Sequence, residues 1–314
     1  IGQGLPLFMP KGTKMIQTLQ RWIEDEEEKW GYVRPKTPLM AKSDLYKISG
    51  HWDHYKEGMF VLGDEEKDKE VFALRPMTCP FQYYVYKASQ KSYRDLPLRY
   101  GETSTLFRNE DSGEMHGLTR VRQFTISEGH LIVRPDQMVE EFKGCIALAQ
   151  KCLRTLGLEE DVTYHLSKWD PANRDKYIGE PEVWEETEGH IRSILTELGI
   201  PFVEDVGEAA FYGPKVDINA KNVYGKEDTM ITVQWDALLA EHLQAADGQI
   251  IVGAQIDQLP SLLQLHMRRL RRNDGAFRLV QSGVAKIVNL VGIPLKCFLF
   301  IHVLPPAAAK SSPE

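Results

Sequence analysis

Apolar side chains recur along this chain with two periods. Between Thr13 and Trp30, Met15, Ile16, Leu19, Trp22 and Ile23 fall on one helical face. That spacing predicts an amphipathic helix with the acidic run Glu24–Glu28 on its solvated side. The same period predicts helices at Phe81–Lys91, Gln137–Leu156 and Glu182–Leu198. The second of these turns Met138, Phe142, Cys145, Ile146, Ala149 and Leu153 inward. The third turns in Ile191, Ile194, Leu195 and Leu198. Asp136 is placed to cap the Gln137 helix, and Gly157 and Gly199 to stop the last two. Alternation and β-branched or aromatic content predict strands at Val71–Arg75, Leu98–Arg108, Leu118–Ile126, Leu131–Val133, Val162–Lys168, Lys215–Ala220 and Thr229–Trp235. Tyr32–Pro38 is extended, because Pro35 and Pro38 each disfavour helix at the residue before them. Strands joined by hairpins, with helices between, imply an α+β chain: an antiparallel β-sheet flanked by helices.

Composition narrows the class. The chain has 314 residues, enough for one large or two modest domains. No apolar run reaches transmembrane length, and no secretory signal opens the chain. The four cysteines are unevenly spaced and form no disulfide framework, so a reducing, cytoplasmic setting is expected. The first residue is Ile rather than Met, so a longer front is expected. The net charge of −7 argues against a nonspecific nucleic-acid coat. Charge is also uneven: Ala237–Glu314 carries a net +3, against −10 for the rest. This shift near Asp236 divides the chain into 1–236 and 237–314.

The chemistry centres on Leu96–His130. Its two strands flank the polar turn sequence Asn109–Gly117, with Arg108 leaving the first and Arg120 and Arg122 entering the second. A guanidinium fork matches phosphate oxygens, so converging arginines suit a polyphosphate. By itself FRNE also fits a surface hairpin with solvated charges. His51 with His54, and Cys79 with His130, are bare pairs that alone leave core packing and metal binding both open.

Read together, FRNE, GLTRVRQF and a following His resemble motif 2 of class II aminoacyl-tRNA synthetases. SGHWDHYKEGMF, LRPMTCP, KSYRDLPLRYGE, HGLTRVRQF and GEAAFYGPKVD resemble blocks of threonyl-tRNA synthetases, in order, from Gly4 to Asp236. The resemblance implies the class II catalytic-core fold and a two-step reaction. Threonine would be activated with ATP and Mg2+, then transferred to tRNA(Thr). It implies that Arg108 contacts the α-phosphate, Glu110 reads adenine, Arg120 reaches the outer phosphates and Phe124 stacks on adenine. Met77, Glu128, Tyr212, Lys215 and Gln234 would line the amino-acid site. Cys79 and His130 would be two zinc ligands, the zinc then binding threonine's amino group and hydroxyl. The helix–strand–Pro unit Thr13–Pro38 resembles motif 1 and implies a homodimer. His51 falls in the block that walls the active site, with no ligand role carried over.

Three departures stand out. Ile126 replaces a frequent Gln, and Glu128 replaces an Asp that contacts the threonine hydroxyl. Beyond Asp236, the segment that would bring a third zinc ligand and the motif-3 arginine is not recognisable. His242 and His266 lie in the wrong surroundings. The expectation is therefore a synthetase core with impaired activity and a truncated or frameshifted tail. Lys286–Pro306 is too broken for a membrane span, and Ala307–Glu314 is expected to be disordered. The alternative is a catalytically inactive synthetase-like protein that binds nucleotide or tRNA. No editing or anticodon-binding domain is recognised.

Overall fold

In the computed structural model the described residues are 1–115, 117–222 and 225–236, with the backbone of two tail strands, Ile250–Gln255 and Lys296–Val303. The first helix, α1 (Pro10–Lys29), starts at a proline, which loses nothing at a position whose N–H has no helical partner. Next come β1 (Met40–Lys42), α2 (Ser43–Ile48), α3 (His51–Tyr55), β2 (Val61–Leu62) and β3 (Phe72–Leu74). These three strands form a small sheet of their own, with β3 in the middle.

The main sheet begins after α4 (Cys79–Lys87). Its strands are β4 (Leu98–Phe107), β5 (Gln123–Val133), β6 (Val162–Lys168), β7 (Phe202–Val206), β8 (Lys215–Lys221) and β9 (Glu227–Asp236), joined by β10 (Ile250–Gln255) and β11 (Lys296–Val303) from the tail. The order is β4-β5-β10-β11-β9-β8-β6-β7. β4–β5, β6–β8 and β8–β9 are antiparallel, whereas β7 runs parallel to β6. Both tail strands occupy the slot between β5 and β9, β10 registering on β5 residues 128–133 and β11 on residues 126–133. The other expectations for 237–314 lie outside the described residues.

Helices α5 (Met138–Leu156) and α6 (Pro181–Glu197) join α1 on one face of this sheet. Met15, Leu19 and Ile23 of α1 pack there with Phe142, Ile146, Ala149 and Leu153 of α5 and Ile191, Ile194 and Leu195 of α6. The strands supply Leu131, Val133, Leu166, Val216, Ile218, Ile231 and Val233. Cys145 and Cys152 are buried in the same core, as free cysteines usually are. On the opposite face Cys79, Tyr83, Tyr100, Leu106, Ile126 and Tyr212 form a second buried cluster, with Met77 and Phe124 packed against it. This side of the sheet carries the candidate cleft.

Several local expectations give way to tertiary contacts. The acidic run of α1 is not simply solvated: Glu26 and Glu27 are buried, because the helix lays this side across the β4–β5 hairpin. Residues 117–122 form turns, and the second hairpin strand starts at Gln123 and runs through Leu131–Val133 without a break. The Arg108 N–H donates to the Arg122 carbonyl at 2.9 Å, just past the last paired rung of the hairpin. Asp136 does not cap α5, since its carboxylate pairs with Arg134 and a short 3-10 turn precedes the helix. Leu198 lies just past α6 and is 41% exposed. The segment 31–38 makes a single bridge, Val33 to Tyr100, along the outer edge of β4.

Candidate active site

β4 and β5 are in register from Leu98↔Ile132 to Phe107↔Gln123. Side chains alternate across the sheet, so Tyr100, Glu102, Ser104 and Leu106 share the cleft face with Phe124, Ile126, Glu128 and His130. Glu102 and Glu128 are direct cross-strand partners. Two opposed buried carboxylates demand compensation. Glu102 receives it from Arg75, whose Nη1 lies 3.2 Å from Oε1. Gln82 Nε2 donates to Glu102 at 2.8 Å and Thr37 Oγ1 at 2.8 Å. Glu128 accepts from the hydroxyls of Thr78 and Ser104. Burial pushes the Glu128 carboxyl up to about 7, against those two hydroxyls and Arg75. Both Glu128 oxygens are thus engaged by the protein.

Around this rung the fold gathers most of the sequence-nominated residues. Met77, Cys79, Phe124 and Tyr212 belong to one cluster with Tyr83, Tyr100, Leu106 and Ile126. Tyr212 OH donates to Gln234 Oε1 at 3.2 Å, and Gln234 is the cross-strand partner of Lys215. Lys215 pairs with Asp217, which also accepts from Ser167 and Thr232. Gln234 is buried, and its Nε2 has no hydrogen-bond partner among the described residues. Ile126 fills its position as plain core, fully buried.

The nucleotide end is arranged differently. Arg108 lies over the Phe124 ring, 5.1 Å from its centroid, and its Nε donates to the Pro76 carbonyl at 3.4 Å. Cation and ring therefore form one platform beside the Glu128 rung. Arg120 and Glu110 meet each other instead of standing apart, at 2.7 Å, and Arg120 also holds Glu114 at 2.8 Å. Arg122 Nε donates to the Glu110 carbonyl at 3.0 Å, so it braces the loop. Arg120 and Arg122, expected to enter the second strand, both precede its first residue, Gln123.

Cys79 and His130 are both buried on this wall. Burial first, then the Glu128 and Asp236 carboxylates, push the Cys79 thiol well up. Burial holds His130 well below the usual histidine range, hence neutral. Neutral imidazole is the form that ligates a metal, and a zinc ion would itself displace the thiol proton. Among the described residues no group of three His, Cys, Asp or Glu could hold a metal ion. Two donors do not make a zinc site, and no step below runs through one.

Sequence reasoning missed several polar residues that shape the cleft: Arg75, Thr78, Ser104, Glu102 and Asp236. Asp236 is fully buried and accepts from Tyr83 OH. Their signal was present in YGETSTLF, where Glu102 and Ser104 interrupt the apolar alternation on one face. His51 is buried with Nδ1 2.8 Å from Ser49 Oγ, its ring edge-on to Phe211, and burial lowers its pKa to about 3. It is a neutral wall residue, and His54 stacks on Phe211 at 4.7 Å rather than pairing with it around a metal.

A mainly antiparallel sheet backed by helices, with an Arg–Phe platform at a hairpin mouth, is the architecture of one synthetase class. The chain belongs to the family of the tRNA synthetase class II core domain (G, H, P, S and T), whose profile matches residues 60–251. Within that family the similarity is to threonyl-tRNA synthetases. The chain is 70% identical over 241 residues to a threonine–tRNA ligase of Clostridium botulinum, covering 77% of this chain and 38% of the relative. It is 44% identical over 241 residues to the threonine–tRNA ligase of Geobacillus kaustophilus, with 36% of that protein covered. The chain therefore spans less than two fifths of these relatives. A solved threonyl-tRNA synthetase from Aeropyrum pernix, described as putative, superposes with a TM-score of 0.74 at 28% identity, over 86% of this chain and 63% of that one. A Giardia lamblia prolyl-tRNA synthetase, at 17% identity and a TM-score of 0.58, shares the fold.

Proposed function

We propose that this chain is the catalytic core of a threonine–tRNA ligase. The observation that carries this reading is the meeting of Tyr212, Gln234, Glu128 and Cys79 in one buried group next to the Arg108–Phe124 platform. A small hydroxylated amino acid fits the polar end, and ATP fits the platform. The threonine carboxylate oxygen attacks the α-phosphorus, the bond to the β-phosphate breaks and pyrophosphate leaves. A ribose hydroxyl of tRNA(Thr) then attacks the activated carbonyl, and AMP leaves. Both steps depend on positioning and charge neutralisation rather than on a side-chain nucleophile. Arg108 neutralises charge at the α-phosphate while Phe124 carries the adenine. Glu110 and Arg120 exchange their mutual pair for adenine and the outer phosphates, and ATP enters with Mg2+. Met77, Glu128, Tyr212, Lys215 and Gln234 hold threonine.

Cys79 and His130 are proposed as two zinc ligands, with no third protein ligand identified. The enzyme is placed in the cytoplasm, and no described helix is long and apolar enough to cross a membrane. Residues 1–236 form the core and 237–314 a divergent tail that impairs activity. A homodimer through Thr13–Pro38 is supported by exposed Leu39, Met40 and Tyr84 beside a groove lined by Thr37, Pro38, Leu45 and Phe81. Threonine-dependent ATP–pyrophosphate exchange tests the reading. Exchange with threonine above that with serine, proline or valine is expected. ATP binding without exchange under any amino acid would instead support the inactive, nucleotide-binding alternative.

A further inference from the structure

Glu27 projects from α1 into the back of the hairpin and is fully enclosed. Its Oε1 accepts from Ser127 Oγ at 2.7 Å and its Oε2 from Arg34 Nη2 at 2.6 Å. One turn earlier, Glu24 accepts from Thr103 Oγ1 at 2.6 Å. Thr103 and Ser127 are opposite each other on β4 and β5, and the adjoining rung is Glu102↔Glu128. The two rungs point to opposite faces, one to α1 and one to the cleft. Space for the carboxylate comes from Gly101: a Cβ there would lie 3.0 Å from Glu27 Oε2.

Arg34 belongs to the segment 31–38, which grips the hairpin in three places. Arg34 reaches Glu27 behind it, Val33 and Gly101 bond along its edge, and Thr37 bonds Glu102 in front. A buried carboxylate in a core helix is costly, and an apolar side chain would pack there at less expense. What the carboxylate adds is direction.

We propose that Glu27 is a positioning residue that ties segment 31–38 to the back of β5 and so sets the place of Glu128 in the cleft. The role rests on the reading of that cleft as an amino-acid site. It also makes the hairpin sensitive to pH. Burial pushes the Glu27 carboxyl up to about 7; Arg34 and Ser127 oppose this and Glu24 adds to it. The other titratable groups facing it, Tyr32 and Cys152 of α5, are themselves pushed up, chiefly by burial, and stay neutral.

Amide hydrogen exchange in the unliganded chain tests this. Glu27→Ala is expected to raise local opening at Ser127–Gly129 about tenfold, the loss of one charge-assisted contact, with β6 and β8 unchanged. In the unaltered chain, opening corrected for intrinsic exchange should change with a midpoint near pH 7, and Glu27→Gln should remove that midpoint. Arg34→Lys should keep the protection that Arg34→Ala loses. Unchanged β5 protection in Glu27→Ala and Arg34→Ala, a pH midpoint that persists in Glu27→Gln, or equal loss across β6 and β8, would overturn the proposal. Affinity for a nonhydrolysable threonyl-adenylate analogue, measured alongside, should fall severalfold in Glu27→Ala. An unaltered chain that does not bind the analogue would sink the proposed function alone, since the exchange result decides the positioning role without ligand.

Discussion

Single side chains in this cleft differ in how far they are already committed. Arg108 lies on the Phe124 ring and donates from Nε to the Pro76 carbonyl at 3.4 Å, which sets its guanidinium beside the ring proposed to carry the adenine. Arg108→Ala should weaken ATP binding by roughly 1.5–3 kcal/mol, the range for a charge-assisted hydrogen bond. Calorimetric titration of folded variant with ATP checks this, and unchanged affinity would remove Arg108 from the site. Arg120 is committed to Glu110 and Glu114 on a side chain that is 46% exposed. Exposed pairs contribute little, about 0–1 kcal/mol. Glu114→Ala should therefore leave stability almost unchanged and tighten ATP at most severalfold. Destabilisation visible in a urea melt would show that the loop depends on that pair. Arg108 was legible in the sequence because FRNE closes a strand run; the Arg120–Glu110 pair was not, because it depends on how the loop turns.

At the scale of elements, the hairpin works because three pieces converge on it: α1 behind, segment 31–38 along its edge, and α4 in front. The AAFYGPK loop shows how little slack such convergence leaves. A Cβ on Gly213 would sit 1.9 Å from the Trp235 carbonyl oxygen, a backbone atom that cannot rotate away. Pro214 accepts the Trp235 N–H at 3.1 Å, so loop and strand are locked together. Gly213→Ala should cost about 3 kcal/mol or more, as overpacking against a rigid neighbour does. It should also displace Gln234, next to Trp235, from Tyr212. A thermal melt and analogue binding measure the two effects, and a fully stable variant would mean that β9 shifts freely. Helices α5 and α6 and strands β6, β8 and β9 were legible to within a few residues, because their periods are long and regular. β7 was not: FVEDV alternates weakly, and its place beside β6 comes from the crossover through α6.

The whole molecule carries a pH dependence that follows from burying carboxylates. Burial raises the Glu27 carboxyl from the ordinary glutamate value of 4.5 to about 7 in the fold. The folded state therefore binds more protons than the unfolded state between those values. Its stabilising contribution is complete below about pH 4.5 and lost as pH rises through about 7, a change of roughly 3 kcal/mol for a shift of this size. Glu27→Gln should flatten this part of the profile, so that unaltered chain and variant differ more in slope than in stability at any one pH. Urea melts between pH 5 and 8 test it, and parallel profiles would show that Glu27 ionises in the fold as it does in water.

The pattern of apolar residues by itself determined the long helices and most long strands, and the ordered blocks from FRNE to AAFYGPK determined the family. Both are local properties, written in periods and short motifs. Only the tertiary structure decided which polar residues are buried. The acidic run of α1 reads as a solvated stripe because neighbouring residues cannot reveal that a glycine, a serine and an arginine from three distant segments leave a carboxylate-sized space beneath it. The opposition of Glu102 and Glu128 is likewise a matter of strand register, which the hairpin turn sets and which slips to the other face with a shift of one residue.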